Sequence, residues 1–153
     1  MTNRKIMEIK NILHPDCTLC AVQGSSKKRI LELISQIANR HLIDIDQATI
    51  LASLVCRERM GSTGIGNGIA LPHARLQDIK EILAILVTCK PAINYESIDG
   101  APVDIFFAIL VPKDKSEEHL KTLSLIANKL NDKEMLRKMR SASTDQELFQ
   151  VIT

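Results

Sequence analysis

Two stretches decide the fold: ILAILVTC at residues 82–89 and VDIFFAILV at residues 103–111. Side chains along a strand point alternately to opposite faces, so a strand that is apolar at nearly every position must be covered on both sides. Both runs fall far short of the ~18 residues that a membrane-crossing helix needs, and they read as buried strands. Asp99-Gly100 supplies turn chemistry between them, and Pro112 stops the second.

Helical patterns lie on either side of this pair. A first strand, CTLCAV from Cys17 to Val22, precedes a helix capped by Ser25-Ser26, with Ile30, Ile34, Ile37 and Ala38 at helical spacing and an end near His41. A second helix starts at Asp46, places Ala48, Leu51, Ala52 and Val55 on one face, carries Arg57 and Arg59 in its last turn and stops at Gly61. Beyond Pro112, Ser116 is read as the cap of a helix carrying Leu120, Leu123, Ala127 and Leu130, followed by shorter helices around Glu134 to Arg140 and Asp145 to Ile152. Strands in the middle with helices at both ends predict a three-layer α/β/α sandwich with a mixed central sheet.

The 153 residues are 45% hydrophobic and 25% charged, which predicts one domain over 1–153 with its core at about 12–152. Aromatic residues make up only 3%, so aliphatic packing must dominate. A net charge of +2, with basic residues dispersed among acidic ones, gives no support for nucleic acid as a partner. The opening MTNRKIMEIKNILH has no continuous apolar segment, which predicts a cytoplasmic protein without membrane insertion. Of the four cysteines, Cys17 and Cys20 form a C-x-x-C, but no second ligand pair accompanies it. A structural role is expected, and no metal.

Four of the six glycines fall between Gly61 and Gly68, in GSTGIGNGIALPHARL, marking a special backbone requirement. The segment lacks the Lys of G-x-x-x-x-G-K-[ST], and G-I-G-N-G does not match G-x-G-x-x-G opening a helix, so neither nucleotide loop fits. After the short strand-like run Ile69-Ala70-Leu71, Pro72 fixes φ and holds His73 on a stiff, exposed strand end. An imidazole keeps a neutral ring nitrogen near pH 7 and can accept a phosphoryl group. Two residues could complete a site: His119, early in the helix after Pro112, and Arg57, which spacing alone reads equally as a surface charge complementing the helix end or as a donor to phosphoryl oxygens. His14 and His41 lack such neighbours and are expected to be structural.

RERMGSTGIGNGIALPHARL resembles the fructose/mannitol-type IIA domain of the bacterial phosphoenolpyruvate-dependent phosphotransferase system, and most of all its nitrogen-regulatory branch. PVDIFFAILVP, HLKTLSLIANKL and SKKRILELIS extend the likeness over almost the whole chain. The resemblance implies that His73 is phosphorylated at Nε2 by a histidine-containing phosphocarrier protein, with His119 beside it and Arg57 neutralising the phosphate. No cofactor is implied. Gly61, Ser62, Thr63, Gly64, Gly66, Asn67 and Gly68, with Pro72 and Arg75, are expected to shape the docking surface. Ala74-Arg75 departs from the Gly-Lys frequent in this branch, although Arg keeps the positive charge.

Transfer is then expected in line between two histidines, driven by positioning and charge neutralisation. The branch implies regulators of nitrogen metabolism and potassium handling as targets that read the phosphorylation state. Two alternatives stay open at this point: a relay of phosphate to a IIB partner for fructose- or mannitol-type sugar uptake, and a non-catalytic binding module in which His73 is never phosphorylated.

Overall fold

The computed structural model describes residues 8–153. The reading of the first seven residues as leader-free falls outside the described residues. Six strands form one mixed sheet: β1 (Leu13–Gln23), β2 (Gly64–Gly66), β3 (Ile69–Ala70), β4 (His73–Leu76), β5 (Leu83–Ile93) and β6 (Val103–Pro112). The order is β1-β5-β6-β3-β2, with β4 also paired to β6. The central pair β5 and β6 is antiparallel, whereas β1 on β5, and β3 and β4 on β6, run parallel.

Every residue from 83 to 89 and from 105 to 112 is buried. Burial on both faces requires helices on both, as the two apolar runs predicted. They are α1 (Lys27–His41), α2 (Gln47–Arg59), α3 (Ser116–Lys129), α4 (Lys133–Ser141) and α5 (Asp145–Ile152). Helices α1 and α2 pack on each other, α1 also lies against β5 and α2 against β4, while α4 packs on α5 and α5 on β1.

Helix α1 follows its prediction closely: Ser26 accepts from the Arg29 amide, and Ile30, Ile34, Ile37 and Ala38 are buried. Three expectations need correction. Strand β1 begins at Leu13, four residues before Cys17, because it is an edge strand whose register shifts between Leu13 and Thr18, and such an edge tolerates Pro15. Helix α2 buries Ile50, Leu54 and Glu58, not Ala48 and Ala52, which are exposed. Helix α3 has Lys115 at the cap position and Ser116 as its first helical residue. Its buried stripe is His119, Thr122, Ile126 and Leu130, and Leu120, expected inside, is 66% exposed.

β3 and β4 behave as one strand with a proline in it. Ile69 pairs with Ile105 and His73 with Ile109, so the register does not change across Leu71-Pro72. Pro72 has no N–H to give the ladder, yet its carbonyl still accepts from the Ile109 amide at 3.0 Å. This anchorage fixes the backbone on which His73 stands.

Candidate functional site

Three elements meet at His73: the start of β4, the last turn of α2 and the first turn of α3. The His73 Nδ1 lies 2.8 Å from the Leu71 carbonyl oxygen. A carbonyl only accepts, so Nδ1 carries the proton, and in the neutral ring the lone pair sits on Nε2. Arg57 Nε donates to that Nε2 at 3.1 Å. The guanidinium is held in turn by Nη1 donating to the Gly61 carbonyl at 2.9 Å.

The electrostatics favour the same neutral tautomer. Burial lowers the His73 pKa below its ordinary 6.5, and the Arg57 and Arg75 charges lower it further, against opposing contributions from the Leu71 bond and Glu58. His119 meets His73 edge-on with ring centroids 5.1 Å apart. Its pKa is also lowered, first by burial and then by His73, Arg75 and Arg57. Its buried Nδ1 has no hydrogen-bond partner among the described residues. Buried polar atoms are rarely left so.

Beside the histidines lies a groove of about 1000 Å³ walled by α2, β4 and α3. Its lining includes Arg57, Arg75 and Lys113, and no carboxylate among the described residues. Ala48, Thr49, Ala52 and Ser53 of α2 face it with Met60 and Leu120, the latter two 80% and 66% exposed. A wide, partly apolar face around a nucleophile that is flanked by cations suits a protein delivering an anionic group.

The structure brings His73, His119 and Arg57 together, as the sequence predicted, and places most of the glycine segment outside the groove they share, in a hairpin beside it. Thr63, Gly64 and Pro72 are buried. Ser62 Oγ accepts from the Gly64 amide and donates to the Tyr95 carbonyl. Gly66, Asn67 and Gly68 all have positive φ and turn a hairpin between β2 and β3, which is what Asn-Gly favours. Arg140 seats that turn, donating to the Asn67 carbonyl and to Asp104. Of the residues expected at the docking surface, only Arg75 lines the groove with His73. The glycines serve a tight hairpin; the small-residue face of α2 makes the groove.

Sequence reasoning missed Glu58. It is buried behind Arg57 and accepts from Lys27 Nζ at 2.8 Å, from Tyr95 Oη at 2.9 Å, and from the amide and hydroxyl of Thr63. The spacing Ile50, Leu54, Glu58 was the available signal, since it continues a buried stripe into a carboxylate. Ala74 is buried in β4 and pairs with Leu110.

Cys56 is exposed and lines the groove, whereas His14, His41, Cys17 and Cys20 lie outside it. His41 Nε2 pairs with Asp16 at 3.0 Å and its ring stacks on His14. The Cys17 sulfur lies near this pair, but it is fully buried and its thiol is pushed up to about 12, chiefly by burial, while Asp16 and His41 already satisfy each other. Cys20 Sγ donates to the Ala142 carbonyl.

A half-buried neutral histidine with its Nε2 beside an arginine, on a mixed α/β/α sandwich, has the lone pair and the neighbouring cation that acceptance of an anionic group requires. The family model for "Phosphoenolpyruvate-dependent sugar phosphotransferase system, EIIA 2" matches residues 11–153, and the chain belongs to that family. It is 43% identical over 155 residues to the nitrogen regulatory protein of Escherichia coli (strain K12), covering 100% of this chain and 94% of the relative. To the nitrogen regulatory protein of Pseudomonas aeruginosa it is 40% identical over 147 residues, 96% of each chain. The crystal structure of nitrogen regulatory protein IIA-Ntr from Neisseria meningitidis matches with a TM-score of 0.88 at 30% identity, over 95% of this chain and 99% of that one. The chain is a phosphoryl-transfer component. No helix among the described residues is long and apolar enough to cross a membrane.

Proposed function

We propose that this protein accepts a phosphoryl group on His73 Nε2 from a histidine phosphocarrier and acts in the cytosol as a regulator whose targets read its phosphorylation state. The observation that carries this is the tautomer: Nδ1–H is committed to the Leu71 carbonyl, which leaves the Nε2 lone pair for phosphorus. Arg57 donates to that nitrogen before the reaction and turns its donors to the phosphoryl oxygens as the N–P bond forms. His119, neutral and with an unpartnered ring nitrogen, supplies a second donor without adding positive charge. The leaving imidazole of the phosphocarrier departs in line, and no general base is needed.

A phosphoryl group puts up to about two negative charges at the edge of the groove, so a partner covering that face distinguishes the two forms. Similarity over the whole chain to nitrogen regulatory proteins supports nitrogen-linked regulators as its targets.

Intact mass tests the central step. Incubated with phosphoenolpyruvate, enzyme I and a phosphocarrier, the protein gains one acid-labile phosphoryl group and His73→Ala gains none. An unmodified wild type with a verified donor chain overturns the reading and leaves a binding module. Rapid loss of the group to a fructose- or mannitol-type IIB domain would replace the regulator by a sugar relay.

A further inference from the structure

The carboxylate of Glu58 does more than neutralise a half-buried lysine. It accepts from Lys27 Nζ on the first residue of α1, from Tyr95 Oη after β5, and from both the amide and hydroxyl of Thr63 in the loop after α2. Lys27 also sits 4.6 Å above the Tyr95 ring, and the Thr63 and Tyr95 hydroxyls are 3.2 Å apart. Burial first, and then the Glu58 charge, push the Tyr95 phenol up, so it stays a donor. Three segments distant in sequence are thus tied to one carboxylate.

The loop so anchored, from Gly61 to Thr63, carries the carbonyl that holds the Arg57 guanidinium. Arg57 Nη1 donates to Gly61 and Arg57 Nε donates to His73 Nε2. Gly61, exposed and at φ +147°, has no side chain of its own to fix it. Its carbonyl direction depends on the anchors one and two residues on, where Ser62 meets the Tyr95 carbonyl and Thr63 meets Glu58. Partly buried charged networks of this kind fix geometry when every member is satisfied.

We propose that Glu58 is a positioning residue for phosphoryl transfer: through Thr63 and the Gly61 carbonyl it aims the Arg57 guanidinium at the reacting nitrogen of His73. This rests on the assignment of His73 as the acceptor. The carboxylate itself never touches the phosphoryl group. Removing its charge leaves Lys27 unpaired and lets the loop, and with it Arg57, lose its fixed direction.

A double-mutant cycle with a second readout tests it. Glu58→Gln, confirmed folded by circular dichroism, is expected to slow transfer from the phosphocarrier about tenfold. In an Arg57→Ala background the same change is expected to cost almost nothing, because the residue it aims is gone. Equal slowing in both backgrounds, or wild-type transfer by Glu58→Gln, overturns the proposal. The resonance of the Arg57 Nε proton, read by NMR in the unphosphorylated protein, should be sharp in the wild type and broadened by solvent exchange in Glu58→Gln. An unchanged signal also overturns it. If the wild type accepts no phosphoryl group the assignment of His73 falls, while the NMR comparison still decides whether Glu58 holds Arg57. Should Glu58→Gln not fold, Thr63→Val, which removes one donor to the carboxylate, is put through the same cycle with the same deciding outcomes.

Discussion

The four histidines form two pairs whose surroundings differ at every point that matters for phosphoryl chemistry. His73 and His119 meet edge-on, face Arg57, Arg75 and Lys113, and are held neutral by burial. His14 and His41 are stacked nearly parallel, 8° between planes, and exposed, and His41 pairs with the Asp16 carboxylate. Phosphoryl acceptance needs a ring nitrogen with its lone pair free, and cations beside it to meet the charge the reaction brings. The surroundings of His73 offer that combination, whereas the Nε2 of His41 is taken up by Asp16.

The largest effect expected from this contrast is all or none. His73→Ala should abolish labelling by the phosphocarrier, whereas the double variant His14→Ala with His41→Ala should label at the wild-type rate. Labelling of the His73→Ala protein would erase the distinction between the pairs. Next in size are the partners of the phosphoryl oxygens. Losing one preorganised, charged donor costs roughly 10²–10³ in rate, and Arg57→Ala should fall in that range. His119→Ala, which removes a neutral donor, should slow transfer by about tenfold. Rapid-quench transfer rates check both, and a His119 effect larger than that of Arg57 would mean that the ring, not the guanidinium, bears the developing charge.

How much of this was visible beforehand varies from element to element. The strands β5 and β6 were legible because a run of apolar residues at consecutive positions has few meanings, and α1 because its cap and stripe agree. His73 was marked by the proline before it and the glycines upstream. β4 was not legible, since His-Ala-Arg-Leu is four residues long and becomes a strand only by lying alongside β6. The exposed face of α2 was hidden for a related reason: Ala48 and Ala52 are as apolar as core residues, and only the packed structure shows that Ile50 and Leu54 turn inward instead. Glu58 left only the faint signal of its spacing from Ile50 and Leu54, because a charged residue in a last helical turn reads as surface until Lys27, Thr63 and Tyr95 are seen around it.

Acid provides a third way to separate the pairs. His73 and His119 have folded-state pKa values below the ordinary 6.5 of the unfolded chain, so the unfolded state binds their protons more readily. The stability that this mismatch allows is complete above pH 6.5 and is lost as the pH falls through the lower folded values. Thermal melts between pH 7.5 and 5 should therefore show a steeper loss for the wild type than for His73→Gln with His119→Gln, in which nothing at this site is left to protonate. Parallel curves would show that the two rings are not held neutral in the fold.

The smallest effect belongs to the other pair and completes the comparison. His41 is the last residue of α1, where a positive charge interacts favourably with the helix end, and Asp16 lies 3.0 Å away on the edge strand β1. The Asp16 side chain is 72% exposed, so water and salt screen the attraction. Exposed pairs of this kind are worth about 0–1 kcal/mol, and Asp16→Asn should cost no more than that by urea titration at pH 6. Its cost should shrink further in about 1 M salt, where screening shortens to about 3 Å. A cost of several kcal/mol, indifferent to salt, would mean that Asp16 supports the start of β1 itself and not the histidine.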